Sequence, residues 1–431
     1  MNILLRSTLA LFLFFSVWFV SAQDTIKIMH YNLLFYGFYT DFCTVQNNNV
    51  EEKNQNLETI LQYYQPDIFT VNELGQGEEN LTLLKDHALN TQGVNYYEHA
   101  DYTNSNNGWF ANGFFYDSRK FGLLDQVVVS TLVRDINLYK LYFKSEDLQQ
   151  TQDTTFLHCI VAHLKAGSST SDQQARSSMI NNVMNYLTTF NISENVVFMG
   201  DFNMRSSYED AFQKLVNYPD YDFRFHDPVE AIGVWNNNEN MSAFHTQSTR
   251  SSNHSCFVGG GLDDRFDFIL VDSDIWEGHS GLTYVENSYY APGQDGERYN
   301  QSLISPANQS EPQNIISALY NTSDHLPVIL ELTTTHNTFT ENVPRSIVTP
   351  QLSVSNPVTD KFSISFTSDV TGEIKIILHS LEGKRVFSGS VIQDDNTFEH
   401  KLDVASLERG FYVLTVILPT GRHFSSKIVK F

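Results

Sequence analysis

Asn195-Val196-Val197-Phe198-Met199-Gly200-Asp201-Phe202-Asn203 decides how this chain is read. An apolar run of strand length ends on a glycine and then offers a carboxylate and an amide, a polar strand end rather than a helix continuing. The pattern recurs at His30-Tyr31-Asn32, Val71-Asn72-Glu73, Val161-Ala162-His163 and Ser323-Asp324-His325. One polar strand end is an ordinary solvated turn. Five of them in one chain point to a shared site at one edge of a layered α/β fold.

Working outward, Thr25–Asn32 alternates apolar and polar residues, and Glu51–Gln65 carries Leu57, Ile60, Leu61 and Tyr64 at helical spacing before Pro66 stops it. Strands are expected at Ile68–Val71, Gly113–Tyr116, Gln126–Phe143, Thr155–His163, Asn195–Met199, Phe266–Asp272 and Leu326–Leu332, with a helix over Ser171–Phe190. No internal repeat interrupts this α/β alternation. Beyond Pro350 the pattern changes to short strands, Lys361–Phe366, Glu373–His379, Arg385–Ser390, Phe398–Leu402, Gly410–Leu418 and His423–Val429, which reads as a small all-β sandwich.

Charge places the boundary. The 431 residues carry a net charge of −23, yet residues 340–431 hold ten acidic and ten basic side chains, so the whole excess lies before them. Thr333-Thr334-Thr335-His336-Asn337-Thr338, followed by Pro344 and Pro350, reads as a polar connector. The division expected is a signal peptide over 1–22, an α/β domain over 23–335, a linker over 336–350 and a β-domain over 351–431. Arg6, the apolar run Leu9–Val20 and Val20-Ser21-Ala22 give the first segment its export pattern, with Gln23 as the mature start. That run is too short for the ~20 residues a bilayer-spanning helix needs, and no later stretch approaches that length.

The three cysteines exclude a disulfide framework and a thiolate zinc site. Export allows a Cys43–Cys256 disulfide, with Cys159 a buried thiol in the run Phe156–Leu164. The acidic balance excludes a strong electrostatic grip on nucleic acid or an anionic membrane, so a polyanionic substrate would need metal ions as intermediaries. Glu73, Asp201 and Asp324 with Asn32 and Asn203 form a hard, all-oxygen ligand set suited to Mg2+, Mn2+ or Ca2+. His163 and His325 add groups that exchange protons near neutral pH, and Asp267 is placed to orient one of them. Hard metal, carboxylates and paired imidazoles suit hydrolysis of a phosphate ester, with no serine or cysteine nucleophile required.

On Glu73, Gly200-Asp201-Phe202-Asn203, Arg265-Phe266-Asp267-Phe268-Ile269-Leu270 and Ser323-Asp324-His325-Leu326-Pro327, in that chain order, the region Asp24–Leu332 resembles the endonuclease/exonuclease/phosphatase family. The resemblance implies a four-layer α/β sandwich like that of deoxyribonuclease I. It implies metal ligation by Asn32, Glu73 and Asp324, water positioning by Asp201, and phosphate contact by Asn203 and His325. Asp267 would orient His325, and His163 would be the second active-site imidazole. Two departures stand out: Asn72 occupies a position where many members have Gln, a change expected to matter little, and no Glu stands just before Gly113 to support His163. Lys165 and Arg176 are further candidate phosphate contacts. The aromatic run Phe35, Tyr36, Phe38, Tyr39 suits base stacking, lipid contact or loop packing, and Gly293-Gln294-Asp295-Gly296 reads as a mobile loop.

The tail also resembles a known family. Asn356-Pro357, Leu381-Glu382-Gly383-Lys384, Leu407-Glu408-Arg409-Gly410-Phe411-Tyr412 and Lys427-Ile428-Val429-Lys430 are similar to the C-terminal sorting domain of type IX secretion. That resemblance implies a secretion-machinery partner and a secreted or cell-surface protein. The expected activity is that of an exported, metal-dependent nuclease acting on DNA or RNA, with a sphingomyelinase-like phospholipase C or a phosphomonoesterase as alternatives. A non-catalytic binding protein would be expected to lack one of the site residues, and all are present. Trp235, in an Asn-rich stretch, is a poor candidate for membrane contact. Oligomeric state has no signature in the sequence.

Overall fold

The computed structural model describes residues 25–334, apart from 146–147 and 149–153, and most of 353–431. The expected export segment and linker lie outside the described residues. The described residues fall into two compact units, one within 25–85 and 98–334, the other within 86–97 and 353–431.

The first unit is built on two six-stranded sheets. One runs β11 (Leu282–Tyr284), β12 (Val328–Thr334), β1 (Thr25–Tyr36), β2 (Ile68–Gly75), β4 (Phe110–Asp117), β3 (Tyr97–His99); the other runs β5 (Phe121–Ser130), β6 (Ile136–Phe143), β7 (Phe156–His163), β8 (Val196–Asp201), β10 (Asp267–Asp272), β9 (Phe225–His226). At the centre of each sheet lies a parallel pair, β1 with β2 and β7 with β8, so each pair delivers two strand C-termini to the same end. β10 runs antiparallel to β8, setting Asp267 opposite Asp201.

Period two then sorts the side chains. His30 and Asn32, Thr70 and Asn72, Val161 and His163, Met199 and Asp201 share the face turned toward the other sheet, where Phe114 and Tyr139 stack at 4.2 Å. The opposite faces meet helices. Tyr31 reaches the Leu319 carbonyl of α6 (Gln313–Thr322), and α1 (Val50–Tyr64) packs beside α6. Phe198 and Leu270 join Met179, Ile180, Val183 and Leu187 of α3 (Thr170–Phe190) and Phe212 of α4 (Asp210–Val216) in one apolar cluster. Helix, sheet, sheet, helix is the four-layer arrangement expected. The short helices α2 (Glu78–Leu84) and α5 (Ser273–Glu277) complete the unit.

Gly200 is required where it stands. Its φ of +152° and a close approach to Ala162 leave no room for a side chain, because a Cβ would collide with the Ala162 carbonyl. The expected strand Gln126–Phe143 is instead a hairpin of β5 and β6. It turns where Arg134 reaches back to the Leu164 carbonyl at 3.0 Å and Asp135 accepts the Ser105 amide at 2.9 Å. Gly293–Gly296 is likewise tied down: Gln294 donates to the His245 carbonyl at 2.7 Å, and Asp295 pairs with Arg298 at 2.9 Å.

The second unit contains the expected β-sandwich. One sheet runs β13 (Ser353–Val354), β14 (Lys361–Thr367), β17 (Thr397–Asp403); the other runs β16 (Arg385–Gln393), β15 (Gly372–Ser380), β18 (Gly410–Ile417), β19 (His423–Lys430). Phe362, Ile364, Ile374, Ile376, Leu414 and Ile428 fill the space between them. Its motif residues have local work. Asn356 accepts the Val429 amide and donates to the Lys427 carbonyl, and the Tyr412 hydroxyl donates to the Glu408 carbonyl.

Trp235 belongs to the core. It is fully buried against Phe212 and Phe268, and its indole N–H donates to the Ala231 carbonyl at 2.7 Å. Trp235→Ala should therefore cost ~3–5 kcal/mol in denaturant unfolding. Stability equal to the parent's would contradict that packing.

Candidate active site

The five strand ends converge. Among the described residues, Glu73, His163 and Asp201 each bring one potential ligand atom within 4.8 Å of the others. His163 Nε2 lies 3.5 Å from Asp201 Oδ2 and 4.0 Å from Glu73 Oε1, and His325 Nε2 lies 3.9 Å from Asp201 Oδ2. Asn32 Nδ2 bridges the two carboxylates, donating to Glu73 Oε1 at 3.2 Å and to Asp201 Oδ2 at 3.0 Å. Asn203 donates its backbone amide to Asp201 Oδ1 at 3.0 Å. Asp324 stands behind this group, its Oδ2 accepting the Val258 amide at 3.1 Å while its buried Oδ1 has no hydrogen-bond partner. It is electrostatically coupled to Glu73 and His325 but lies outside the close set, which contains His163 instead.

The backbone is bent to make this arrangement. β1 bulges just after Asn32, with Leu34 and Phe35 at φ of +47° and +55°, and Glu73 and Asn203 are also left-handed at +58° and +52°. Such conformations cost an L-residue roughly 1–2 kcal/mol, least for Asn. The bulge aims the Phe35 amide at Glu73 Oε2, 3.2 Å away, and the Leu34 amide at Asn32 Oδ1, 3.0 Å away. Lys53 holds it from behind, donating to the Leu33 carbonyl at 2.7 Å and to that of Leu34. Burial draws the Lys53 ammonium down to about 7, with Asp324 and Glu73 opposing the shift.

The two imidazoles are treated differently. Burial alone would lower His325, but Asp267, whose Oδ2 lies 2.8 Å from Nδ1, raises it well above the usual range, and Asp201 and Asp324 add to this. Thr246 donates to the same Asp267 oxygen at 2.7 Å, and Gln247 Nε2 lies 2.8 Å from His325 Nε2. His163 is pushed well down, first by burial and then by Arg134, His325 and His30. Its Nδ1 is buried without a partner, and Asn112, which stands where a deoxyribonuclease I-like site would carry a supporting Glu, bonds elsewhere. Burial raises the Asp201 carboxyl to about 7, with Asp267 and Glu73 adding to the rise and His325 opposing it.

This set fits a divalent cation. The oxygens are hard donors, their negative charge is in surplus, and Asp324 keeps a buried oxygen unpaired. Of the other candidates, Arg176 is fully buried and spent on Glu209 at 2.7 Å and on the Lys165 and Gly167 carbonyls, where it fixes the loop after His163. Lys165 pairs with Asp172 at 2.9 Å. Tyr36 is buried, donating to Asn54 at 2.6 Å, whereas Phe35, Phe38 and Tyr39 are partly exposed.

Lys53, Arg134 and Gln247 are the members that motif reading passed over, and Asn72, whose replacement of Gln was expected to matter little, joins the support of the site. Asn72 accepts the Asp201 amide at 2.8 Å and donates to Asn112 at 2.8 Å, and Asn112 donates to Asn137 at 3.0 Å. This amide ladder ties the two sheets together directly beneath Asp201.

The chain matches the profile of the Endonuclease/Exonuclease/phosphatase family over residues 29–325 and belongs to that family, whose members are metal-dependent phosphoric ester hydrolases. Residues 355–430 match the secretion system C-terminal sorting domain. Among solved structures, it is similar to TDP2 of D. rerio complexed with single strand DNA product (16% identity, 72% of this chain and 100% of that one, TM-score 0.45). It is similar to a mannosyl-6-phosphatase of Bacteroides thetaiotaomicron (16%, 71% and 99%, 0.44) and to the human Nocturnin catalytic domain with bound sulfate anion (14%, 73% and 97%, 0.43). A comparison with curated proteins finds no match.

Asn72→Ala should lower kcat or metal affinity roughly 10- to 100-fold, as loss of a support behind a ligand typically does. Steady-state kinetics at several metal concentrations would measure it. An unchanged rate and metal dependence would mean that the ladder does not position Asp201.

Proposed function

We propose that this chain is an exported phosphodiesterase, an extracellular endonuclease that hydrolyses DNA or RNA with Mg2+ as its ion. The observation that carries the reading is the convergence of Glu73, His163 and Asp201 beside a His325 braced by Asp267, on a chain of a phosphoric ester hydrolase family. The proposed parts are a signal peptide over 1–22, a catalytic domain over 23–335, a linker over 336–350 and a sorting domain over 351–431 that addresses the protein to the cell surface or medium.

In this reading Glu73, Asn32 and Asp324 hold the cation, with Asp201 and His163 close enough to share in it. A bound divalent ion supplies positive charge to the phosphoryl oxygens and acidifies water. Asp201 orients the attacking water and takes its proton. Asn203 and cationic His325 grip the scissile phosphate, and Asp267 keeps His325 charged and pointed. Neutral His163 fills the remaining side of the site. A panel of plasmid DNA, RNA, sphingomyelin and inositol phosphates, each with Mg2+, Mn2+ or Ca2+ and with chelator, tests the reading. Turnover of sphingomyelin or of monoesters alone would replace it with a phospholipase C or a phosphatase.

Asp201→Ala and His325→Ala should each lower kcat by at least ~10²-fold with the fold intact by circular dichroism. Turnover like that of the parent in either would remove the roles given to them.

Glu73→Gln keeps the side chain's shape but removes charge the cation needs. It should raise the metal concentration for half-maximal activity, with excess Mn2+ restoring part of the rate. Full activity of the parent after exhaustive chelation would overturn the metal assignment altogether.

A further inference from the structure

Beside the metal-site carboxylate the surface turns aromatic. Phe35, whose amide contacts Glu73 Oε2, meets the Phe110 ring edge-on at 4.8 Å. Phe110 stands opposite Gly75, two residues beyond Glu73 on β2. Phe38 packs edge-on against Phe110 at 5.4 Å and lies nearly parallel to Trp109, 5.8 Å away at 26°. Trp109 is 64% exposed. It is nonetheless held in place, because Gln76 donates to the Gly108 carbonyl at 2.7 Å, as does Asn104, whose Oδ1 also accepts the Gly108 amide at 2.9 Å. A large indole fixed in solvent, with one face on Phe38 and continuous with the catalytic strand ends, is a surface built for a flat partner.

The surrounding charge narrows the partner. No Lys or Arg occurs between Lys27 and Lys53 or between Lys85 and Arg119, so both segments that form this rim lack cations. Phosphate contacts there contribute little, and an anionic lipid surface finds no basic belt. Stacking on an aromatic face does not depend on charge, and it requires a base whose own face is free.

We propose that Trp109, supported by Phe38, is a stacking platform for an unpaired base next to the scissile phosphate, which makes single strands and frayed ends the preferred substrates. The inference rests on the nuclease reading and names its substrate class. Duplex bases have both faces covered by their neighbours and gain nothing from the platform.

The test uses the purified full chain with Mg2+ on a single-stranded 12-mer, its duplex, and single strands in which one base at a time is replaced by an abasic residue, with each cleavage position mapped. The parent should favour the single strand over the duplex in kcat/KM. Trp109→Ala should raise KM on the single strand roughly 5- to 100-fold with little change in kcat, and Trp109→Phe should recover most of the loss. Where an abasic residue sits beside the cleaved bond, Trp109→Ala should add no further penalty. Equal penalties on base-containing and abasic strands, or no penalty at all, would overturn the platform while leaving the nuclease reading in place. A parent that cleaves no nucleic acid would remove both. Loss of phosphatidylcholine vesicle binding in Trp109→Ala, with oligonucleotide cleavage unchanged, would assign the patch to lipid instead.

Discussion

When two sheets pack face to face, the polar groups on their facing strand ends lose water together. Here Glu73, Asp201, Asp267 and Asp324 share one such seam, and an isolated buried carboxylate costs several kcal/mol. Much of the structure around them reduces that cost. Asn32 bridges Glu73 and Asp201, His325 pairs with Asp267, and the Val258 amide meets Asp324. The compensation is incomplete, since Asp201 is still pushed up to about 7 and Asp324 above its usual range. A site that remains short of positive charge after its own hydrogen bonds are made has an electrostatic reason to take up a cation and, with it, a phosphate.

The same seam explains where the chain is strained and how the strain is held. Left-handed residues at Leu34, Phe35 and Glu73 bring amides and a carboxylate to the edge of the sheet, a geometry that no flat strand supplies. Lys53 and Asn48 hold the carbonyls of that bulge, and the Cys43–Cys256 disulfide ties the loop that follows it to the segment bearing Val258. The pairing that export allows thus lies beside the site rather than at a distant edge. Cys159 is the free, buried thiol.

The layered fold was legible because short apolar runs, buried on both faces, that end on Asp, Asn or His are written locally. Asp201, Glu73, His163 and His325 could be found that way. Their supports could not. Lys53 sits on the apolar stripe of its helix with Leu57, Ile60 and Tyr64, where a charge out of place was the only signal, and its partners are carbonyls of another strand. Gln247 and Arg134 lie in loops with no periodicity, and their value depends on which strand end they meet. Arg176 failed in the opposite direction. Its type suggested phosphate, but its position on the buried face of α3 committed it to Glu209. The hairpin at 131–135 was hidden inside the strand-like stretch Gln126–Phe143, because the contacts that break the strand come from other segments.

The sequence pairs Asp267 with His325 and offers His163 no supporting Glu, and packing turns that difference into opposite charge biases. Burial, with Arg134 adding to it, holds His163 toward the neutral form, whereas Asp267 against the other ring outweighs burial and biases His325 toward the cation. Groups driven apart in this way can divide acid and base duties at a single pH, which two identical histidines in water cannot do. The difference originates in elements that hold neither ring. Asp267 comes from the strand beside Asp201, and Arg134 from the turn that splits β5 and β6. The chemistry of the site is therefore set as much by the order of strands in the second sheet as by the residues that face the substrate.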